Sequence, residues 1–214
     1  MAGFPFPQMG VYFVSREPVR NPEAILHFAK LREAMERKLP GVKLAGTVSA
    51  PSQNRFAIAA CPESLGAAPE SAIAEVYDYD VVRYQAMVLG LVEPPADTPV
   101  HWIARRVNPQ AKVVAVVPRP PPLSRSVEAF PFPRGYLGDP NTLLAIGKLL
   151  KGREVVAVER VGLVAIGPDA AAVAQAVKQA LHKAASAPAA DSPSALPSAA
   201  PKARRPKGHR RKGK

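Results

Sequence analysis

Apolar positions follow two periods along this chain, and the switches between them mark its elements. Gly10–Ser15 (GVYFVS) has the β-branched and aromatic residues of a short strand. Ile25, Phe28, Leu31, Met35 and Leu39 then recur at helical spacing. Asn21 caps that helix, Pro22 takes its first position, and Pro40-Gly41 ends it. Strands are predicted over Lys43–Ser49 and Arg55–Ala60, separated by the turn-rich Pro51-Ser52-Gln53-Asn54, and again over Ala74–Tyr79 and Gln85–Val92. Tyr77-Asp78-Tyr79-Asp80 reads as a half-buried strand, since its two acids would repel a phosphate brought to its rings. A helix is predicted from Thr98 to about Val107. The unbroken apolar run Lys112–Val117 predicts a strand buried on both faces. After a proline-rich loop at Pro118–Pro122, which also has the makings of a polyproline ligand, a helix runs from Asp139-Pro140 to Leu150. Strands at Glu154–Glu159 and Gly162–Ile166 precede a last helix, opened by Gly167-Pro168-Asp169 and running to about Ala185.

Beyond that helix the pattern stops. Ala184–Ala200 is almost entirely Ala, Ser and Pro and cannot bury enough apolar surface to offset its ordering entropy. The expected organisation is a globular domain at 1–183, a semi-stiff linker at 184–201 and a disordered or extended basic tail at 202–214.

Charge sharpens this division. The chain has 214 residues and a net charge of +12, yet eight Lys and Arg with no acid lie between Lys202 and Lys214. Gly and Pro interrupt the tail and it has no aromatic residue, so its reading is phosphate gripping without base stacking. The single cysteine, Cys61, excludes an intramolecular disulfide and fits the cytoplasm; it reads as a small buried hydrophobe. The N-terminal residues lack a signal-peptide pattern, and no apolar run is long enough to span a membrane. Four Asn and six Gln against 25 Pro fit a heat-adapted source, as would a GC-rich genome. There is no P-loop, Gly-x-Gly-x-x-Gly or Gly-x-Ser-x-Gly motif.

The order of motifs from Pro94 onward resembles the class II aldolase/adducin-head family. Pro94-Pro95-Ala96-Asp97-Thr98-Pro99-Val100-His101 is similar to that family's Pro-Ser-x-Glu-Thr-x-x-His helix start. Asn108-Pro109 then leads into the buried strand, and Glu159–Asp169 looks like the family's Asn-His-Gly hairpin entering the last helix. Gly46-Thr47-Val48-Ser49 and Cys61-Pro62-Glu63-Ser64 fall where the family has phosphate-loop segments. The resemblance covers roughly Leu31 to Leu181. It implies an α/β fold: a central, mostly antiparallel sheet flanked by helices in three α/β/α layers.

The resemblance also implies a metal held by three histidines, and here this chain departs. Those positions fall on Val116, Pro118 and Val161, with Arg160 in place of the Asn and Asp97 in place of the acid–base Glu. Neither Val nor Pro offers a donor atom. Of the histidines, His27 reads as a packing or boundary residue, His101 as a capping or hydrogen-bonding one, His182 as a helix-end cation, and His209 lies in the tail. The expectation is therefore a non-catalytic protein with no cofactor and no metal. Its expected role is RNA binding, most simply to rRNA in a ribosomal subunit beside other ribosomal proteins, with no small-molecule substrate and no membrane. RNA contacts are expected from Lys202, Arg204, Arg205, Lys207, Arg210, Arg211, Lys212 and Lys214, with further ones from Arg105, Arg106, Arg119, Arg134 and Arg160. The alternative is an aldolase-like enzyme of sugar-phosphate chemistry with a lost or relocated metal site.

Overall fold

The computed structural model describes residues 8–52, 55–118, 130–132 and 135–186. Eight strands form one sheet: β1 (Gly10–Ser15), β2 (Gly46–Ser52), β3 (Arg55–Cys61), β4 (Ile73–Asp80), β5 (Gln85–Leu89), β6 (Val113–Val117), β7 (Val155–Val158) and β8 (Gly162–Gly167). Their spatial order is β1-β5-β4-β3-β2-β6-β8-β7. Only the β1–β5 pairing is parallel; the other six are antiparallel. Among the described residues four α-helices cover it: α1 (Pro22–Lys38), α2 (Thr98–Val107), α3 (Pro140–Leu150) and α4 (Ala170–Ser186). Helices α1 and α4 pack together on one face and α2 and α3 on the other, which makes three layers. No helix among the described residues is long and apolar enough to cross a membrane.

Strand β6 lies third from the β7 edge, between β2 and β8, and its five residues are all buried. Val113, Ala115 and Val117 enter the cluster under α1 and α4, and Val114 and Val116 the cluster under α2 and α3. Alternate residues thus serve opposite cores, which is why this strand shows no polar alternation. The helix starts follow their capping residues. Asn21 Oδ1 accepts from the Ala24 amide at 3.1 Å, and Asp139 Oδ2 from the Thr142 amide at 2.8 Å. Pro follows each cap, where its missing N–H costs nothing.

Several boundaries differ from the expectation, among them β5, which ends at Leu89 rather than Val92. Strand β2 starts at Gly46 and continues through Pro51 and Ser52, which read as turn. Its pairing with β6 stops at Ser49, so Pro51 sits where that side of the strand is open and its absent donor is not missed. Helix α4 runs through Ser186, so the linker expected from Ala184 begins as helix. The rest of the linker, the basic tail and Arg119–Pro122 of the proline run lie outside the described residues.

Glycines flank the exit of β6 on both sides. A Cβ at Gly46 would meet the Val116 carbonyl oxygen at 2.3 Å, and one at Gly162 the Val117 carbonyl oxygen at 2.2 Å. Gly162 also has φ +113°. Replacing Gly162 by Ala is expected to lower stability by about 2–4 kcal/mol, through backbone strain plus overpacking. Urea unfolding of the variant against the parent chain measures this.

Candidate active site

Helix α2 carries Asp97, His101 and Arg105 at steps of four, with Asp97 as the residue that caps its start. That spacing puts three polar groups on one side of the helix, facing the sheet. Strand β2 offers Thr47 and Ser49, two apart and therefore on one face. Thr47 Oγ1 donates to Asp97 Oδ2 at 2.5 Å and lies 2.8 Å from His101 Nε2. His101 Nδ1 lies 2.9 Å from Ser49 Oγ. Arg105 donates through Nε and Nη2 to Ser49 Oγ, each at 3.2 Å, and also to the carbonyls of Ala111 and Lys112.

This buried run perturbs its ionisable members. Burial pushes the Asp97 carboxyl up to about 6, partly offset by the Thr47 hydroxyl. Its Oδ1 is enclosed without a hydrogen-bond partner, although 21% of the side-chain surface stays open. Burial, aided by the charge on Arg105, takes His101 down to about 3, so the ring is neutral near pH 7. Burial lowers Arg105 to about 10, which leaves it charged.

A cavity of about 490 Å³ opens where three segments converge: the residues entering β1 (Gln8, Met9), the 93–96 segment ahead of α2 (Glu93, Pro94, Ala96), and the β7–β8 hairpin (Arg160, Val161). Tyr84, Phe132, Tyr136 and Leu137 complete an aromatic wall. The Tyr84 and Tyr136 rings meet edge to face at 5.5 Å. Gly138 permits this, since a Cβ there would strike Tyr84 Cγ at 2.3 Å. Burial, then Tyr136, raises the Tyr84 phenol. Arg160 brings the cation, its guanidinium 5.8 Å from the centre of Phe132.

The backbone marks the same place. Among the described residues, the non-glycine residues with positive φ are Tyr84 (51°) and Arg160 (63°), and both line this cavity. Such conformations cost on the order of 1 kcal/mol and collect at functional sites.

The remaining sequence candidates divide. Arg105 turns inward and spends four of its five N–H groups on Ser49, Ala111 and Lys112, so it is not the surface RNA contact that was expected. Arg106 is exposed and stacks on Trp102 at 5.0 Å. Arg160 belongs to the cavity. Arg119, Arg134 and the tail residues Lys202, Arg204, Arg205, Lys207, Arg210, Arg211, Lys212 and Lys214 lie outside the described residues. Cys61 is fully buried with its thiol pushed up by burial. His27 is lowered chiefly by burial and lies 3.9 Å from Glu23.

The three-histidine metal of the resemblance does not fit the residues present. Val116 and Val161 are buried in the apolar cluster under α2 and α3. Both ring nitrogens of His101 are already bonded. Among the described residues, no three His, Cys, Asp or Glu are placed to hold an ion.

No protein-family model matches the sequence, and no curated protein does. Solved structures match in shape. YgbL from Klebsiella pneumoniae is 12% identical with a TM-score of 0.55, over 75% of this chain and 85% of that one. An L-fuculose 1-phosphate aldolase is 13% identical with a TM-score of 0.52, over 78% and 86%. An aldolase II superfamily protein from Pseudomonas syringae is 15% identical with a TM-score of 0.50, over 77% and 74%. At these identities the likeness is one of fold, and it bears out the class II aldolase-like α/β architecture.

It also corrects the functional expectation. A ribosomal, RNA-binding, non-enzymatic protein without a small-molecule substrate does not agree with a fold shared with aldolases. The physical reason for the misreading is that charge was counted without direction. Of the body arginines assigned to RNA, Arg105 is spent inside and Arg160 lines a cavity.

Asp97 and His101 are perturbed in opposite senses, and their effects on stability oppose each other. Between about pH 4 and 6 the folded Asp97 holds a proton that the unfolded chain releases, so its contribution falls as pH rises. Over the same range unfolded His101 takes up a proton that the folded ring refuses, so its contribution rises with pH. The pair should cancel. In Asp97→Asn, unfolding free energy is expected to rise with pH between 4 and 6 by up to about 1.4 kcal/mol per unit, and in His101→Gln to fall by a similar slope. Urea unfolding across that range reads both slopes.

Proposed function

We propose that this chain is an enzyme acting on a small anionic, carbonyl-bearing substrate of the sugar-phosphate class, bound in the cavity under the β7–β8 hairpin. The observation that carries this reading is the convergence there of Arg160 and Tyr84, both held in a left-handed backbone, within an aldolase-like fold. The hairpin residues Arg160 and Val161 are also those that the family resemblance assigns to the metal-binding Asn-His pair, so the cavity lies where that family works. In our reading the family's three histidines are replaced by Val116, Pro118 and Val161, and the reaction does not run through their metal.

The residues present support acid–base chemistry. Arg160 receives the substrate's anionic group, because a guanidinium forks across two oxygens of a phosphate or carboxylate. Glu93 and the phenols of Tyr84 and Tyr136 offer hydrogen bonds to hydroxyls. Asp97 directly follows the lining residue Ala96 and keeps 21% of its side-chain surface open, and in our reading it is the base. With its carboxyl near 6 it is mostly ionised at neutral pH yet remains a useful proton acceptor. It takes a proton from the carbon beside the substrate carbonyl. The C–H bond breaks, an O–H bond forms on Asp97, and the electron pair moves to the carbonyl oxygen. The apolar wall of Met9, Val11, Phe132 and Leu137 excludes water from the enolate. A globular domain over 1–183, with its single buried thiol reduced in the cytoplasm, completes the reading.

Exchange of the substrate's α-hydrogen in D2O, followed by proton NMR with L-fuculose 1-phosphate and related sugar phosphates, tests this. The full chain should catalyse exchange, with a rate rising through an apparent pKa near 6. Asp97→Asn should lose at least about 100-fold. Arg160→Ala should weaken binding by about tenfold or more in calorimetry, the loss expected for a charged hydrogen bond. Absence of both binding and exchange across the panel would overturn the proposal.

A further inference from the structure

The hydrogen-bond run that ends on Asp97 has a direction, and one residue fixes it. A guanidinium can only donate, and a serine oxygen has two lone pairs and one hydrogen. Arg105 Nε–H and Nη2–H both point at Ser49 Oγ and fill its acceptor capacity. The Ser49 hydrogen must then go to His101 Nδ1, 2.9 Å away. That makes Nδ1 an acceptor and leaves the ring hydrogen on Nε2, facing Thr47. Thr47 in turn gives its hydrogen to Asp97 Oδ2. Every donor along the run points from the guanidinium to the carboxylate.

Reversal meets an obstacle at Ser49. A proton on Asp97 Oδ2 would be donated to Thr47, whose hydrogen would turn to His101 Nε2. The ring hydrogen would move to Nδ1 and become a third donor onto an oxygen with two lone pairs. The reversed run cannot be satisfied while Arg105 holds its fork. Arg105 is itself pinned, by the Ala111 carbonyl at 3.2 Å and the Lys112 carbonyl at 3.0 Å.

We infer that Arg105 is a positioning residue that, through Ser49, His101 and Thr47, fixes the direction of hydrogen bonding onto Asp97 and so keeps Asp97 a proton acceptor rather than a donor. This rests on the reading of Asp97 as the base. The neighbouring charges are few. Arg105 is the one that bears on His101. From α1, His27 feels the same Arg105 together with Lys112, Lys30 and Glu23. His101 is a neutral conduit in this arrangement, because its enclosed ring resists taking a second proton.

Nitrogen-15 NMR of histidine-labelled full chain reads the His101 tautomer directly, and carboxyl carbon-13 shifts read the Asp97 midpoint, both without substrate. In the parent chain His101 should be the Nε2–H tautomer at pH 7.5. In Arg105→Met the Nδ1–H form should appear and the Asp97 midpoint rise by about one unit, a tenfold loss of carboxylate below the midpoint. Arg105→Lys keeps the charge without the fork and should still show mixed tautomers. Should Arg105→Met fail to fold, Ser49→Ala cuts the run with Arg105 intact and should raise the midpoint likewise. A single Nε2–H tautomer with an unmoved midpoint in the folded variants overturns the inference. A shifted midpoint that the pH profile of substrate exchange does not follow supports the direction of the run and removes Asp97 as the base.

Discussion

Burial of the sheet on both faces is the constraint that organises this protein. Strands β2 and β6 lie between two helical layers, so a polar side chain placed there has no water to turn to. An unpaired buried polar group costs about 1–3 kcal/mol. Yet β2 brings Ser49 and Ser52 to full burial. Each is met from outside the strand. Ser52 bonds with Asn21, the cap of α1, and with Glu75 of β4. Ser49 is met by His101 and Arg105 of α2, and the half-buried Thr47 by Asp97 and His101. Two helices are thereby held to one strand by polar contacts whose geometry is far more selective than apolar packing. Helix α2 cannot slide without breaking several bonds at once, and Asp97 is fixed as a result.

Much of this was legible in the chain. The strand at Gly10–Ser15 and the helix from Thr98 to Val107 stand where the residue pattern placed them, because their signals are local. Strand β2 was misplaced because proline is judged by its local effect, and whether Pro51 is harmful depends on which neighbour lies beside it. The polar run had a signal that went unread: Asp97, His101 and Arg105 at steps of four, with Thr47 and Ser49 two apart. The cavity had none. Its wall joins Tyr84 of the β4–β5 turn, Phe132, Tyr136 and Leu137, and the β7–β8 hairpin, which only the folded topology brings together.

Fold and chemistry separate in this protein. The α/β architecture, a central sheet flanked by helices, is class II aldolase-like, while the polar machinery differs from what the family resemblance implies. A basic composition suggested a partner in solution, but inside the fold a guanidinium serves as easily to orient a hydroxyl. Arg105 and Arg160 have the same charge and opposite surroundings. One is turned inward with four of its five N–H groups bonded; the other lines a cavity over an aromatic ring.

The left-handed backbone at Tyr84 and Arg160 bears on how this sequence can be changed. Glycine at either position would relieve the backbone, but Tyr84 also packs on Tyr136 and the core, so folding energy alone favours the change only at exposed Arg160. Stability screens reward such relief at Arg160 and would remove the guanidinium from the cavity wall. A variant improved in heat resistance by that route would keep the aldolase-like fold and lose the cation of its cavity, so selection for melting temperature and selection for ligand capture should pull this position in opposite directions.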